Sequence, residues 1–181
     1  IPELPDQKKK RFINELGIKE YDAVILTSSK EMAQFFEEML NKNISSKNAV
    51  SWLSVELQGR LKDGMTISSS PITSKKLASL VKSIENGDIS AKAAKEVLDY
   101  LMQNDKKVQE VIDILGLKQV SNDDDILKII DEIINLNLDK VEQYKNGKDK
   151  LFGFFVGQTM KASKGTANPT KVNTLLKKRL G

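Results

Sequence analysis

Apolar residues recur at helical spacing along most of the chain, and no comparable stretch alternates apolar and polar residues with period two. Residues i, i+3, i+4 and i+7 share one face of a helix, whereas a half-buried strand needs strict alternation. The pattern therefore predicts an all-α fold. The faces begin at Met32, Leu77, Ala94, Val108, Ile126 and Val172 and end at Leu40, Ile84, Met102, Leu115, Ile134 and Leu180.

The residues between these runs are typical of helix ends. Ser28 followed by Glu31 predicts a capping box that opens the Met32 helix. Further helix starts are predicted at Thr73, Ser90, the acidic run Asp123 to Asp125, and the pair Asn168-Pro169. Glycines predict helix ends at Gly17, Gly87, Gly116, Gly147 and Gly165.

A break in the apolar pattern between Gly116 and Asp123 predicts a domain boundary. We expect a helical domain over residues 1–117 and a smaller helical domain over 118–181. No apolar run approaches the roughly 20 residues that span a bilayer, so we expect no membrane association. The first residues carry neither an initiator Met nor a signal-peptide pattern, so we expect a fragment of a longer protein.

The absence of histidine and cysteine narrows the possible chemistry. Ser-His-Asp and Cys-His catalysis, histidine- or thiolate-ligated metals, and thiol redox reactions all need one of these residues. Only carboxylate and lysine chemistry stays open. The acidic run Asp123 to Asp125 is interpreted as a helix cap rather than a metal site, because three consecutive helical residues point in different directions.

The net charge of +4 is concentrated at the end of the chain, where residues 150–181 contain seven basic and no acidic residues. Such a segment attracts polyanions, nucleic acid above all. Lys161 and Lys164 precede a turn and the start of a helix, whose free amides favour phosphate. Three other basic residues equally suit a helix C-terminus: Lys177, Lys178 and Arg179.

Other features have a structural interpretation that we prefer. Gly153 and Gly157, four residues apart, suit the close approach of a helix or of a sugar-phosphate backbone, and tight helix packing is favoured. We predict that Trp52, Phe154 and Phe155 lie in the core. Two further lysines, Lys92 and Lys95, are predicted to form ion pairs on their own helix with Glu96 and Asp99.

Several blocks occur in register along the whole chain: residues 2–6 (PELPD), 20–31, 87–97, 116–119 and, above all, 157–169 (GQTMKASKGTANP). In these blocks the chain resembles GatB, a subunit family of the tRNA-dependent amidotransferases. The last block is similar to the signature of the family's C-terminal tail, shared with the small YqeY-like proteins. The resemblance leaves the roles of Ser163 and Thr166 open.

The resemblance implies a cytoplasmic function in protein biosynthesis. The family enzyme, a ligase, amidates glutamate on glutamine tRNA or aspartate on asparagine tRNA, with the GatA and GatC subunits as partners in a heterotrimer. Its ATP and magnesium are bound in an N-terminal cradle that this chain does not match. The chain corresponds to the helical domain and the YqeY-like tail, so we expect it to hold no catalytic residue, metal or cofactor of its own.

We therefore predict a non-catalytic tRNA-binding module. The predicted contacts are Lys161 and Lys164, then Gln158, Asn168, Lys171 and Lys178, and on the first domain Lys92 and Lys95. One alternative is a helical interaction module that docks on one of the other subunits or on a tRNA synthetase, which predicts an exposed apolar face. A second is a free-standing helical enzyme that uses carboxylates and lysine.

Overall fold

A computed structural model describes all 181 residues, and it confirms the all-α fold. There are eleven α-helices, and one isolated parallel bridge joins Val120 to Ala167. The chain divides into two compact units, unit 1 (Ile1–Gly116) and unit 2 (Leu117–Gly181). None of the helices has the length and apolar character that a membrane span requires.

Unit 1 contains seven α-helices and a π-helical segment. The helices are α1 (Pro5–Leu16), α2 (Glu20–Leu26), α3 (Lys30–Leu40), α4 (Ser46–Ser51), α5 (Ser74–Glu85), α6 (Ala91–Leu101) and α7 (Val108–Leu115). The π segment (Trp52–Leu57) continues α4 directly and leads into a 3-10 turn, Gln58–Arg60.

The core of unit 1 is formed by the apolar faces that the periodicity predicts. Phe36 of α3 is fully buried and packs edge-to-face on Phe12 of α1, with ring centroids 5.1 Å apart. Trp52 is buried, as predicted. Helix α3 packs against α5, and α5 packs against α6 and α7.

Helix ends follow local side-chain chemistry, with one correction. Thr73 and Ser90 accept hydrogen bonds from the backbone amides of Lys76 and Ala93, which confirms them as N-caps. The predicted cap at Ser28 is wrong. The N-cap of α3 is Ser29, whose side chain accepts from the Met32 amide, while the Ser28 hydroxyl donates back to the carbonyl of Ile25.

Unit 2 contains four α-helices: α8 (Asp123–Asn135), α9 (Leu138–Lys145), α10 (Leu151–Ala162) and α11 (Pro169–Leu180). Helices α8, α10 and α11 pack against one another around fully buried Ile126, Phe155 and Leu176. Helix α9 packs on α8 and α10 but buries none of its own residues. Helix α10 packs on α8, α9 and α11, and Gly153, Gly157 and Lys161 form the exposed strip along it.

Candidate nucleic-acid interface

The excess positive charge of the chain belongs entirely to unit 2. Residues 1–116 hold 17 of the 29 Lys and Arg residues and 17 of the 25 Asp and Glu residues, so they carry no net charge. The +4 therefore lies in residues 117–181, where every residue from Lys150 onward is basic or uncharged. An acid-free basic segment attracts polyanions over about a Debye length, roughly 8 Å at physiological salt.

Two of the leading predicted residues, Lys161 and Lys164, lie at the end of α10. Lys161 is in its last turn and Lys164 is in the tight turn that follows, where the Lys164 amide donates to the Lys161 carbonyl at 3.0 Å. Both side chains are exposed, and neither ammonium has a hydrogen-bond or ion-pair partner in the chain. The turn therefore presents two unpaired positive charges to solvent.

The backbone of this turn is unusual at Lys164. Its φ is +54°, in the left-handed region, and Gly165 follows at +75°. A residue with a Cβ pays about 1–2 kcal/mol for this conformation. The Lys164 ammonium makes no contact that would offset the cost within the chain.

The start of α11 offers fewer free amides than the sequence predicts. Pro169 has no N–H, and the Lys171 amide is capped by the side chain of Asn168 at 3.2 Å. The amide of Asn168 donates to the Val120 carbonyl at 2.9 Å. Thr170 is left as the unpaired amide of the first turn. An anion at this end would therefore depend on the lysines more than on the helix terminus.

Two basic residues of α11 are held in ion pairs with the acidic helix α8. The Lys171 ammonium lies 3.2 Å from a carboxylate oxygen of Asp123 and also donates to the Ser121 carbonyl. Arg179 donates twice to Asp131, at 2.7 and 2.8 Å. These hydrogen bonds lower the pKa of Asp131 below its ordinary value.

The remaining predicted contacts of unit 2 are differently placed. Lys178 and its neighbour Lys177 are both exposed, and neither ammonium has an ion-pair or hydrogen-bond partner in the chain. Gln158 is half-buried on α10, and its amide makes no hydrogen bond within the chain. Next to it, Thr159 is buried and donates to the Phe155 carbonyl at 2.8 Å.

The predicted tight helix packing at Gly153 and Gly157 is wrong. Both glycines are exposed, and a Cβ at either position would meet no other atom of unit 2 within 4 Å. Phe155 turns the opposite way into the core, as predicted, and the ring of half-buried Phe154 lies under the Lys140 ammonium at 5.1 Å. Helix α10 therefore exposes a strip of bare backbone that ends, one turn further on, at Lys161.

Comparison with known proteins identifies the family. The family model described as the GatB domain matches residues 34–180. The chain belongs to the GatB domain family.

Individual GatB relatives match along the whole chain. The GatB subunit of the aspartyl/glutamyl-tRNA(Asn/Gln) amidotransferase of Campylobacter jejuni serotype O:6 is 58% identical over 100% of this chain, and that of Sulfurovum sp. is 59% identical over 99%. The corresponding protein of Campylobacter hominis is 58% identical over 99%. The chain spans only 39%, 38% and 38% of these relatives, respectively.

On unit 1 of this GatB-family chain, Lys92 and Lys95 lie exposed on α6. The predicted pairing within the helix is wrong. The Lys95 ammonium lies 3.5 Å from a carboxylate oxygen of Glu56 in the π segment. Asp99 forms an ion pair with Arg60, whose Nε lies 2.6 Å from the Asp99 carboxylate. Side chains of α6 thus reach a neighbouring element rather than one another. Lys92 has no ion pair.

Sequence reasoning left Ser163 and Thr166 without a role, and the structure gives them one. Both side chains are buried, and their hydroxyls shape the turn that carries Lys164. A signal was present in the spacing: two hydroxyl residues three apart, directly after a helix, are typical of side-chain-to-backbone turns.

Proposed function

We propose that this chain is a non-catalytic, tRNA-binding portion of the GatB subunit of a tRNA amidotransferase. In this proposal it holds misacylated glutamine or asparagine tRNA while glutamine- and ATP-dependent transamidation takes place elsewhere in a complex with the GatA and GatC subunits. We propose tRNA as the ligand because the relatives are named as an aspartyl/glutamyl-tRNA(Asn/Gln) amidotransferase subunit. The observation that carries the assignment to this chain is the acid-free basic segment from Lys150 to Gly181, with its unpaired Lys161 and Lys164.

The chemistry of this segment suits an RNA backbone. Double-helical RNA is recognised mainly by shape, phosphates and 2′-hydroxyls, because side chains cannot read its deep major groove. Lys161 and Lys164 supply unpaired cations, and half-buried Gln158 supplies an amide that can both donate and accept. The exposed backbone at Gly153 and Gly157 leaves room for a sugar-phosphate chain to approach α10 closely.

Not all predicted residues contribute equally in this proposal. Lys171 is occupied by Asp123 and Ser121, so we assign it first to holding α11 against the start of α8. Lys178 has no partner and provides long-range attraction. Lys92 and Lys95 are secondary contacts on unit 1.

A titration with glutamine tRNA tests the proposal. The wild-type chain, the Lys161→Ala/Lys164→Ala variant and a matched Lys128→Ala/Lys145→Ala control are compared, with an unrelated tRNA and heparin as competitors. Lys128 and Lys145 are exposed, unpaired lysines of unit 2 outside the acid-free segment. We expect tighter binding to glutamine tRNA than to the unrelated tRNA or to heparin, and a loss of affinity in the first variant only.

A protein-docking role is the second candidate, because some large apolar side chains are exposed. Leu136 and Leu138, at the corner between α8 and α9, are 79% and 63% exposed, and Tyr21 of α2 is 77% exposed. Binding to heparin as tight as to tRNA, with no response to the two lysines, would favour this candidate. Leu136→Ser/Leu138→Ser would then be expected to weaken binding to GatA or to a tRNA synthetase.

A further inference from the structure

Lys164 is an exception among the left-handed residues of the chain. Three residues other than glycine have positive φ: Asn43 at +56°, Asp63 at +55° and Lys164 at +54°. Asparagine and aspartate tolerate this conformation because their short side chains can bond to the local backbone. Lysine has no such compensation. A lysine held in this conformation, with its ammonium unpaired within the chain, points to a function of its side chain outside the chain itself.

Two buried hydroxyls impose the conformation from within the turn. Ser163 Oγ accepts from the Ala167 amide at 3.1 Å and donates to the Met160 carbonyl at 2.9 Å. Thr166 Oγ1 donates to the Ser163 carbonyl. The Gly165 amide returns to the same Met160 carbonyl at 2.8 Å. These hydrogen bonds hold the backbone on both sides of Lys164, and none of them involves the Lys164 side chain.

The segment before α8 fixes the same turn from outside. The Val120 amide donates to the Thr166 carbonyl at 2.7 Å, and the Asn168 amide donates to the Val120 carbonyl at 2.9 Å. Ala167, between them, is buried. The path of the backbone from α10 to α11 is therefore set before any ligand arrives, and a preformed path lowers the entropy lost on binding.

We propose that Ser163 and Thr166 are positioning residues for RNA binding. They hold Lys164 in the left-handed conformation so that its ammonium leaves the turn beside that of Lys161, toward adjacent phosphates. Neither hydroxyl touches RNA in this arrangement, because both side chains are buried. The inference rests on the proposed tRNA-binding function and names the residues that support its main contact.

A double-mutant cycle tests the positioning role. Ser163→Ala, Lys164→Ala and the double variant are titrated with glutamine tRNA in the full 181-residue chain. We expect each single variant to lose affinity about fivefold, the upper end of the effect of one solvent-exposed ion pair. The double variant should bind no more weakly than Lys164→Ala, because Ser163 acts through Lys164. Ser83→Ala is the matched control, since the Ser83 hydroxyl also donates to a local backbone carbonyl, in unit 1.

Three further substitutions separate positioning from folding. Thr166→Val removes the hydroxyl at nearly constant shape and should weaken binding, while Thr166→Ser keeps it and should restore binding. Lys164→Gly relieves the backbone and should raise the melting temperature while binding RNA as weakly as Lys164→Ala. The comparison of Thr166→Val with Thr166→Ser tests the positioning role even if Ser163→Ala proves too unstable to titrate.

The outcomes distinguish this inference from the function on which it rests. Losses from Ser163→Ala and Lys164→Ala that multiply in the double variant, or equal binding by Thr166→Val and Thr166→Ser, would overturn the positioning role and leave RNA binding intact. If Lys161→Ala/Lys164→Ala bound tRNA as tightly as wild type, the proposed contact of these two lysines with tRNA would itself be wrong.

Discussion

Two glycines of α10, Gly153 and Gly157, have no packing role within unit 2. Gly157 lies in the interior of α10, where glycine costs about 1 kcal/mol relative to alanine, and Gly153 lies in its first turn. A tight intramolecular contact would explain their presence, but a methyl group at either position meets open space within unit 2. The glycines thus weaken α10 without improving its own packing.

The double variant Gly153→Ala/Gly157→Ala is expected to separate stability from binding. Two alanines should raise the free energy of unfolding by about 1–2 kcal/mol, because they favour the helix and meet no clash. Affinity for tRNA should fall, because the methyl groups occupy the space left for the RNA backbone. Urea unfolding and a tRNA titration measure the two effects. Unchanged affinity in a stabilised variant would contradict the role of this strip.

At the scale of helices, the cap of α3 gives the clearest prediction. Ser29→Ala removes the side-chain acceptor of the Met32 amide and should cost about 1 kcal/mol of unfolding free energy. Ser28→Ala removes an exposed hydroxyl bonded to the Ile25 carbonyl and should cost less. Thermal unfolding of both variants checks the assignment. A larger loss in Ser28→Ala would favour the capping box that the sequence pattern predicts.

The link between α8 and α11 gives a prediction about pH. The pKa of Asp131 is lowered in the folded chain by hydrogen bonds from Arg179. Ionised Asp131 therefore stabilises the fold above its unfolded pKa, about 3.9, and this contribution is lost as the pH falls through the lower folded pKa. Asp131→Asn should unfold slightly more easily than wild type at pH 7 and equally below the folded pKa. A difference that persists at the lowest pH would exclude this ion pair as its cause.

The sequence predicts some helices much better than others. Helices α3, α5, α6, α8 and α11 bury a continuous face, so their spacing was visible. Helix α1 buries only Phe12, and α9 buries nothing, so neither left a periodic signal. The π segment was missed for a different reason. Its buried residues Leu53 and Leu57 continue from Val50 at ordinary helical spacing, so the apolar pattern cannot distinguish this wider turn from an α-helix.

For the candidate site, local features were predictable and long-range partners were not. The Asn168 cap and the exposed Lys161 and Lys164 follow from residue type and position along the chain. The pairing of Lys171 with Asp123 and of Arg179 with Asp131 joins residues 48 positions apart in sequence, and only the packing of α11 on α8 creates it.

Over the whole chain, charge is segregated, with unit 1 balanced and unit 2 basic. The two ion pairs use Lys171 and Arg179, so five basic residues of the acid-free segment stay unpaired: Lys150, Lys161, Lys164, Lys177 and Lys178. Binding driven by these charges releases counterions from the RNA and must weaken as salt rises. The salt dependence of affinity is therefore a property of the whole molecule to which each lysine contributes.

The most direct test of tRNA binding by unit 2 is this salt dependence, measured with glutamine tRNA between about 50 and 200 mM salt for wild type and Lys161→Ala/Lys164→Ala. Each lost phosphate contact should reduce the slope of log affinity against log salt by about 0.7–0.9, so the variant should be flatter by roughly 1.5. Lys128→Ala/Lys145→Ala should keep the wild-type slope. Equal slopes for all three proteins would contradict the account, because the phosphates would then be bound elsewhere.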